Sequence, residues 1–235
     1  MNAPATTHGA VKVDPITLDI IENALKNARS EMDGVVVRIS LSPVIREQHD
    51  EFPMICDARG RMVVGQFGSY IPAIVEQFEG DLNEGDVFVW NDPYACKGSI
   101  SHNNDWCVMM PIFHQGILVG FSSIFGHMVD VGGKVPGSMP FDARTIWEEG
   151  LRIPPVRIYE KGVLNKGVLD IMLNNTRTPD MNRADLMALI AGCRTASTRV
   201  RELCDRFGRD TYVAACDMLL DRTREAMKVL IDKYI

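Results

Sequence analysis

Residues Trp90 to Gly133 read WNDPYACKGSISHNNDWCVMMPIFHQGILVGFSSIFGHMVDVGG. Two strand-like runs, Trp106 to Phe113 and Ile117 to Phe125, are joined by His114-Gln115-Gly116, which has the length and composition of a hairpin turn. Folding that hairpin back carries His127 towards the loop that delivers His102 and Asp105. One hairpin therefore gathers two imidazoles and a carboxylate at one end of a sheet, and the reading of the fold grows outward from it.

Two imidazoles and one carboxylate leave open positions on an intermediate divalent metal, which suits catalysis by Zn, Mn or Fe better than a closed structural site. His102 and Asp105 are close enough in sequence to chelate from a single turn. Loop histidines and aspartates also cap turns, and spacing alone leaves both readings open. His114 at the hairpin tip is expected to be solvated. His8 sits in a Pro/Ala/Thr-rich terminus and His49 in a charged run, so both stay outside the candidate set.

Further blocks follow in one order along the chain: Asp14-Pro15-Ile16-Thr17, Asn91-Asp92-Pro93-Tyr94, Asp130-Val131-Gly132-Gly133, Pro136-Gly137-Ser138-Met139-Pro140, and Glu148-Glu149-Gly150-Leu151-Arg152-Ile153-Pro154-Pro155. Together they resemble the hydantoinase B family, which includes the B-type subunits of N-methylhydantoinase and 5-oxoprolinase and the alpha-type subunits of acetone and acetophenone carboxylases. The resemblance runs from about Val13 to the C-terminus. It implies a metal held by His102, Asp105 and His127, and a carboxylate of the active-site region at Asp50. The loop from Cys96 to Trp106, with Gly126 to Asp130, looks more like the carboxylase branch; the hydantoinase-type loop is usually shorter and reads Gly-Gly-Thr-His. Members of the family are commonly twice as long or more, which implies that this chain is a split subunit or a fragment.

With 235 residues, 46% hydrophobic and 24% charged, the chain has ample material for a core. A net charge of −6, with no basic patch interleaved with aromatics, argues against a nucleic-acid partner. Residues 1–12 lack the pattern of a secretory signal, and no later run approaches the roughly eighteen apolar residues of a membrane span. A cytoplasmic protein is expected. The six cysteines form no CxxC pair and read as reduced thiols; Cys96 alone sits in the candidate loop. There is no GxxxxGK[ST] or GxGxxG pattern.

The expected fold is α+β, a mixed or antiparallel sheet flanked by helices, with a C-terminal helical hairpin. Residues 1–12 are expected to be disordered, 13–180 to form the metal-binding domain, and 181–235 the helical hairpin. Asp14-Pro15 starts a helix whose apolar face runs to about Met32. Val35 to Leu41 reads as a strand. Phe52 to Cys56 and Arg61 to Gly65 form a hairpin around Asp57-Ala58-Arg59-Gly60. Tyr70 to Gly80 reads as a helix, Val87 to Trp90 as a buried strand, Thr145 to Gly150 as a helical turn and Leu164 to Leu173 as a helix or a pair of turns. Asn182 to Phe207 and Arg209 to Ile235 are two helices parted by Gly208.

Arg152 is the cation expected near the site, able to meet a carboxylate or bicarbonate in a bidentate way, or else a surface ion pair. Asp50 shares that candidacy. Asp130, Asn91 and Asp92 are expected behind the ligands, with Asp130 orienting His127 or a neighbouring backbone segment. The resemblance implies the metal-bearing piece of an ATP-dependent ketone carboxylase that joins bicarbonate-derived CO2 to an enolised ketone. ATP would be handled by a separate A-type or beta-type subunit, with a further subunit possible for the C-terminal part. The alternatives are a B-type subunit of an ATP-dependent hydantoinase or 5-oxoprolinase, and a non-catalytic structural subunit.

Overall fold

The computed structural model describes residues 11–234. His8 and most of the terminus expected to be disordered lie outside the described residues. The elements run α1 (Pro15–Ile39), a single-turn α2 (Pro43–Arg46), β1 (Glu51–Asp57), β2 (Met62–Val64), α3 (Pro72–Gln77), β3 (Val87–Trp90), β4 (Asp105–His114) and β5 (Ile117–His127). A 3-10 turn at Ile146–Glu149 precedes β6 (Val156–Glu160), β7 (Val163–Leu164), α4 (Lys166–Asn174), α5 (Pro179–Phe207) and α6 (Arg209–Ile231). The architecture is α+β, and the two expected C-terminal helices are present, parted by Gly208.

The seven strands lie in the order β2-β1-β5-β4-β3-β6-β7, and every pair is antiparallel. Successive side chains of a strand face opposite ways, and here both faces are covered. Trp106, Val108, Met110 and Ile112 join the core shared with α1 and α5. Cys107 and Met109 join a second core with Tyr70, Ile71, Ile74, Phe88 and Phe121. Burial on both sides is why β4 and β5 read as continuous apolar runs without a polar alternation.

Asp14 caps α1, its Oδ1 accepting the amides of Ile16 and Thr17 at 3.0 Å each. The buried stripe Leu18, Ile21, Leu25, Ala28, Met32, Val36 continues beyond the expected end of this helix. Val35 to Ile39 is thus helical and not the strand its β-branched residues suggest. Intrinsic propensity is a weak preference that packing overrides: Val36 is fully buried against α5, where a Cβ on Gly192 would stand 2.8 Å from its Cγ2.

Two smaller departures have similar causes. The helix expected from Tyr70 to Gly80 shortens to six residues, because Tyr70 and Ile71 are drawn into the second core before it begins. His114 is buried, its Nε2 2.8 Å from Asp205 Oδ1 on α5, so its side chain lies against that helix while Gln115 and Gly116 at the turn stay exposed. β6 and β7 are additions to the expected elements. α6 sends Tyr212, Ala215, Cys216 and Leu219 into the main core, and Arg222 ties it to Asp19 and Glu22 of α1.

Candidate metal centre

Register assembles the site. Asp105, the first residue of β4, pairs directly with His127, the last of β5. The His127 amide donates at 3.0 Å to the carbonyl of Asp50, one step before β1 begins. Three adjacent strands therefore present Asp50, His127 and Asp105 on one rung. Alternation puts Asp105 on the side of Cys107 and Met109, the second core, while Glu51 falls on the opposite side, against α1.

His102 reaches over this rung from the preceding loop. Its Nε2 lies 3.1 Å from Asp105 Oδ1 and 3.2 Å from His127 Nδ1, and His127 Nδ1 lies 3.2 Å from the same Asp105 oxygen. The ring centroids are 5.1 Å apart. Ser101 Oγ stands 3.1 Å from His102 Nδ1, a contact that occupies the far ring nitrogen and leaves Nε2 to the cluster. Asp50 Oδ2 is 3.7 Å from His127 Nδ1, at the edge of the group.

Burial pushes the Asp105 carboxyl up, but hydrogen bonds from His102 and His127 outweigh it, and its pKa ends below the ordinary carboxylate range. The hydrogen bond to Asp105 raises the pKa of His102 against the opposing pull of burial. An anionic oxygen facing two ring nitrogens is a cation-holding arrangement, whether the charge comes from a proton or a metal.

The donor set and its spacing fit a metal. Tetrahedral bonds of about 2.0–2.1 Å to zinc separate the ligand atoms by roughly 3.3–3.4 Å, and right-angled bonds of about 2.2 Å separate them by roughly 3.1 Å. The triangle edges here, 3.1 to 3.2 Å, fall at that scale. Among the described residues, this is the one cluster of three or more potential ligands whose donor atoms come together.

The loops behind the cluster are tied down by amides and one guanidinium. Asn91 Nδ2 donates to the carbonyls of Asn103 at 2.6 Å and Leu151 at 2.8 Å, and its Oδ1 accepts the Ile153 amide at 2.6 Å. Asn104 Nδ2 bridges the carbonyls of Met128 and Gly137. Asp130 accepts the amides of Gly132 and Gly137 at 2.8 Å each, and pairs with Arg177 at 3.0 Å. It holds the glycine loop, and its carboxylate bonds to that loop and Arg177 instead of to His127. Burial raises its pKa, and those backbone amides with Arg177 more than reverse the effect. The paired glycines are required: at Gly133, with φ 78°, a Cβ would lie 2.5 Å from the Glu148 carbonyl.

Asp92 caps the Tyr94 amide and takes Arg152 at 2.7 Å. The guanidinium lies 4.7 Å from the Trp147 ring centroid and 5.3 Å from that of Tyr94, so Arg152 is engaged beside the site instead of facing the cluster. The Gly137 amide, in the Pro136–Pro140 loop, is taken by Asp130. Cys96 is buried and donates to the Pro93 carbonyl. Sequence reasoning missed Arg177, which also binds the carbonyls of Gly132, Gly133 and Val135. It lies in a polar breaker segment with nothing to mark it. Ser101 and Asn104 were visible only as neighbours of the ligands.

Two cavities open on the cluster. One of about 330 Å³ reaches Asp105 past Phe67, Tyr70, Ile100 and Phe125. The other, about 170 Å³, reaches His102 between Met139, Phe141 and Glu149.

An antiparallel α+β fold with a His-Asp-His cluster at a sheet end marks the class. The chain belongs to the Hydantoinase B/oxoprolinase family, which it matches over residues 14–234. It is 37% identical to the caprolactamase beta subunit of Pseudomonas jessenii over 93% of this chain and 39% of that one. The crystal structure of the ATP-dependent caprolactamase from that organism superposes with a TM-score of 0.86 at 33% identity, again over 93% of this chain and 39% of that one. The B-type subunit of a putative D-/L-hydantoinase of Pseudomonas sp. (strain NS671) is 33% identical over 94% of this chain and 39% of its own. The acetophenone carboxylase delta subunit of Aromatoleum aromaticum is 29% identical over 99% of this chain and 35% of its own. The chain thus spans about two-fifths of the length of these relatives. Among the described residues, no helix is long and apolar enough to cross a membrane.

Proposed function

We propose that this chain is the metal-bearing part of the B-type subunit of an ATP-dependent enzyme that opens a cyclic amide. The convergence of His102 Nε2, His127 Nδ1 and Asp105 Oδ1 within 3.1 to 3.2 Å of one another carries the reading. The caprolactamase and hydantoinase relatives support the substrate class. Those three residues would hold a divalent ion, Zn, Mn or Fe, which when bound supplies a Lewis acid that polarises a carbonyl or phosphoryl oxygen. Asp105 supplies the anionic ligand and fixes both imidazoles. Asp50, half-exposed with its Oδ2 3.7 Å from His127 Nδ1, would accept a proton from water at the rim. Asn91 and Asn104 keep the ligand loop and the glycine loop in register. ATP would be bound by an A-type partner subunit, which would deliver a phosphorylated intermediate, and the six buried free thiols suit a reducing compartment.

A second reading, a ketone carboxylase that joins bicarbonate-derived CO2 to an enolised ketone, is favoured by the form of the Cys96–Trp106 loop and by the acetophenone carboxylase relative. The test is ATP hydrolysis by the co-expressed complex, measured with lactams and hydantoins against ketones plus bicarbonate, beside elemental analysis. Amide-dependent turnover that disappears together with the metal in the His102→Ala and His127→Ala variants is expected. Bicarbonate-dependent ketone turnover would replace the first reading with the second. Full metal content and activity in both variants would leave a structural subunit.

A further inference from the structure

On the side of β1 that faces α1, an open cavity of about 600 Å³ lies between Arg29, Asp33, Gly34 and Arg38 of the helix and His49, Glu51 and Gln66. Its size falls within the range of small-molecule sites. Glu51 is the group there that lacks an account. Its side chain is 2% exposed, and its Oε2 is buried without a hydrogen-bond partner among the described residues. His49 Nδ1 stands 3.6 Å from Oε1, beyond hydrogen-bond reach. Arg29 is committed to Asp33 at 3.2 Å and to the Pro53 carbonyl at 3.4 Å. A buried carboxyl left in that state costs stability.

Arg38 is the opposite case. It is exposed in the last turn of α1, borders the same cavity and forms no ion pair among the described residues. One turn back, where an acid would pair with it, stands Gly34. A Cβ on Gly34 would meet nothing within 4 Å, so no neighbour in the chain requires a glycine there, although one inside a helix is destabilising. The space it leaves lies on the cavity wall.

The cavity thus joins one buried carboxyl and one free guanidinium that do not pair with each other. A ligand with a single charge satisfies one of them; a ligand with an ammonium at one end and a carboxylate at the other satisfies both. The charge balance agrees. Burial, with the Asp33 and Asp50 carboxylates, keeps the Glu51 proton on up to about pH 8 against the pull of Arg29. With Glu51 protonated, Arg29 and Arg38 face Asp33 alone. The ligand's carboxylate supplies the missing negative charge, and its ammonium takes the place of the Glu51 proton. Val37 and Phe52 offer apolar wall to the methylenes between. Opening a lactam yields such a molecule: water adds across the broken C–N bond, leaving a carboxylate at one end and an ammonium at the other.

We propose that this cavity binds the ring-opened ω-amino acid at a site separate from the metal centre, with Glu51 holding its ammonium and Arg38 its carboxylate. The identity of the ligand rests on the amide-opening reading, while the demand for both charges comes from the cavity itself.

The experiment uses the complex with its partner subunits and three six-carbon probes: 6-aminohexanoate, hexylamine and hexanoate. Binding is followed by calorimetry at pH 7 in two buffers of different ionisation enthalpy. 6-Aminohexanoate is expected to bind on the order of tenfold tighter than either single-charge probe, to release about one proton as Glu51 ionises, and to bind unchanged in the His102→Ala variant. Glu51→Gln should abolish the proton release and weaken 6-aminohexanoate about tenfold, and Arg38→Gln should bring it to the level of hexylamine. Hexylamine binding as tightly as 6-aminohexanoate, binding lost with His102→Ala, or binding indifferent to Glu51→Gln overturns the proposal. If the cavity behaves as expected while the complex opens no lactam, the amino-acid site stands and the amide-opening reading falls; lactam turnover beside an unresponsive cavity does the reverse.

Discussion

Replacing Glu51 with glutamine isolates a charge that the fold holds at a cost. Glu51 sits one residue from Asp50 but on the other side of β1, its side chain 2% exposed, and its Oε2 has no hydrogen-bond partner among the described residues. Burial, with the Asp33 and Asp50 carboxylates nearby and only Arg29 opposing them, pushes its pKa from 4.5 up to about 8. The folded chain therefore keeps the proton at pH values where the unfolded chain has released it. This contribution to stability is complete below about pH 4.5 and is lost progressively as pH rises to about 8. At about 1.36 kcal/mol for each pH unit the loss is at most about 5 kcal/mol. Glu51 also lines an open cavity of about 600 Å³ beside Arg29 and Asp33, and water there screens the charge, so a figure near 2 kcal/mol is expected. Glutamine keeps the shape and cannot ionise. Glu51→Gln should match the parent at pH 5 and melt about 4–8 °C higher at pH 8.5, taking about 2–4 °C for each kcal/mol at this chain length. Circular dichroism melts across that range decide it. Parallel curves for the two proteins, or a less stable variant at pH 8.5, would refute the reasoning.

Three further outcomes follow from the site. Ser101→Ala removes the contact on His102 Nδ1 and should lower metal affinity about 10–100-fold, read by competition with a chromogenic chelator; unchanged affinity would deny Ser101 its orienting role. Arg177→Gln strips one guanidinium from Asp130 and three loop carbonyls and should destabilise the chain by about 1–2 kcal/mol in urea unfolding, with Arg177→Lys failing to restore it because one ammonium cannot span those carbonyls. Since Asp105 raises the pKa of His102, protons compete for that ligand from above the ordinary histidine range. Metal content should fall on dialysis at pH 5 and return at pH 7.5, and full retention at pH 5 would count against His102 as a ligand.

The hairpin was legible because two apolar runs around Gln115-Gly116 admit few other pairings, and with its register come Asp105 and His127. His102 followed from proximity in sequence. The Val35–Ile39 segment misled because its local preference is for strand, while its place in the buried stripe of α1 depends on a partner, α5, that enters more than a hundred residues later. The supporting loops were harder still. Asn91, Asn104 and Arg177 act on carbonyls of distant segments, and a polar side chain in a loop carries no periodicity to reveal which backbone it will meet. Asp130 illustrates the point: its Asp-Val-Gly-Gly context marks it as special, but only the fold shows that its carboxylate gathers the glycine loop.

The rung that unites Asp50, His127 and Asp105 spans the ends of three strands whose contacts are far apart in sequence. An ion held by His102, Asp105 and His127 would act as a clasp on the sheet margin, joining the end of β5 to the start of β4 and to the loop before it, beside the strand end that carries Asp50. Slippage of any of the three by a single residue would turn its contribution to the wrong face. Metal capture in this chain would thus double as a proofreading step for strand alignment, and apo protein should exchange the amide protons of His127 and its neighbours faster than loaded protein does.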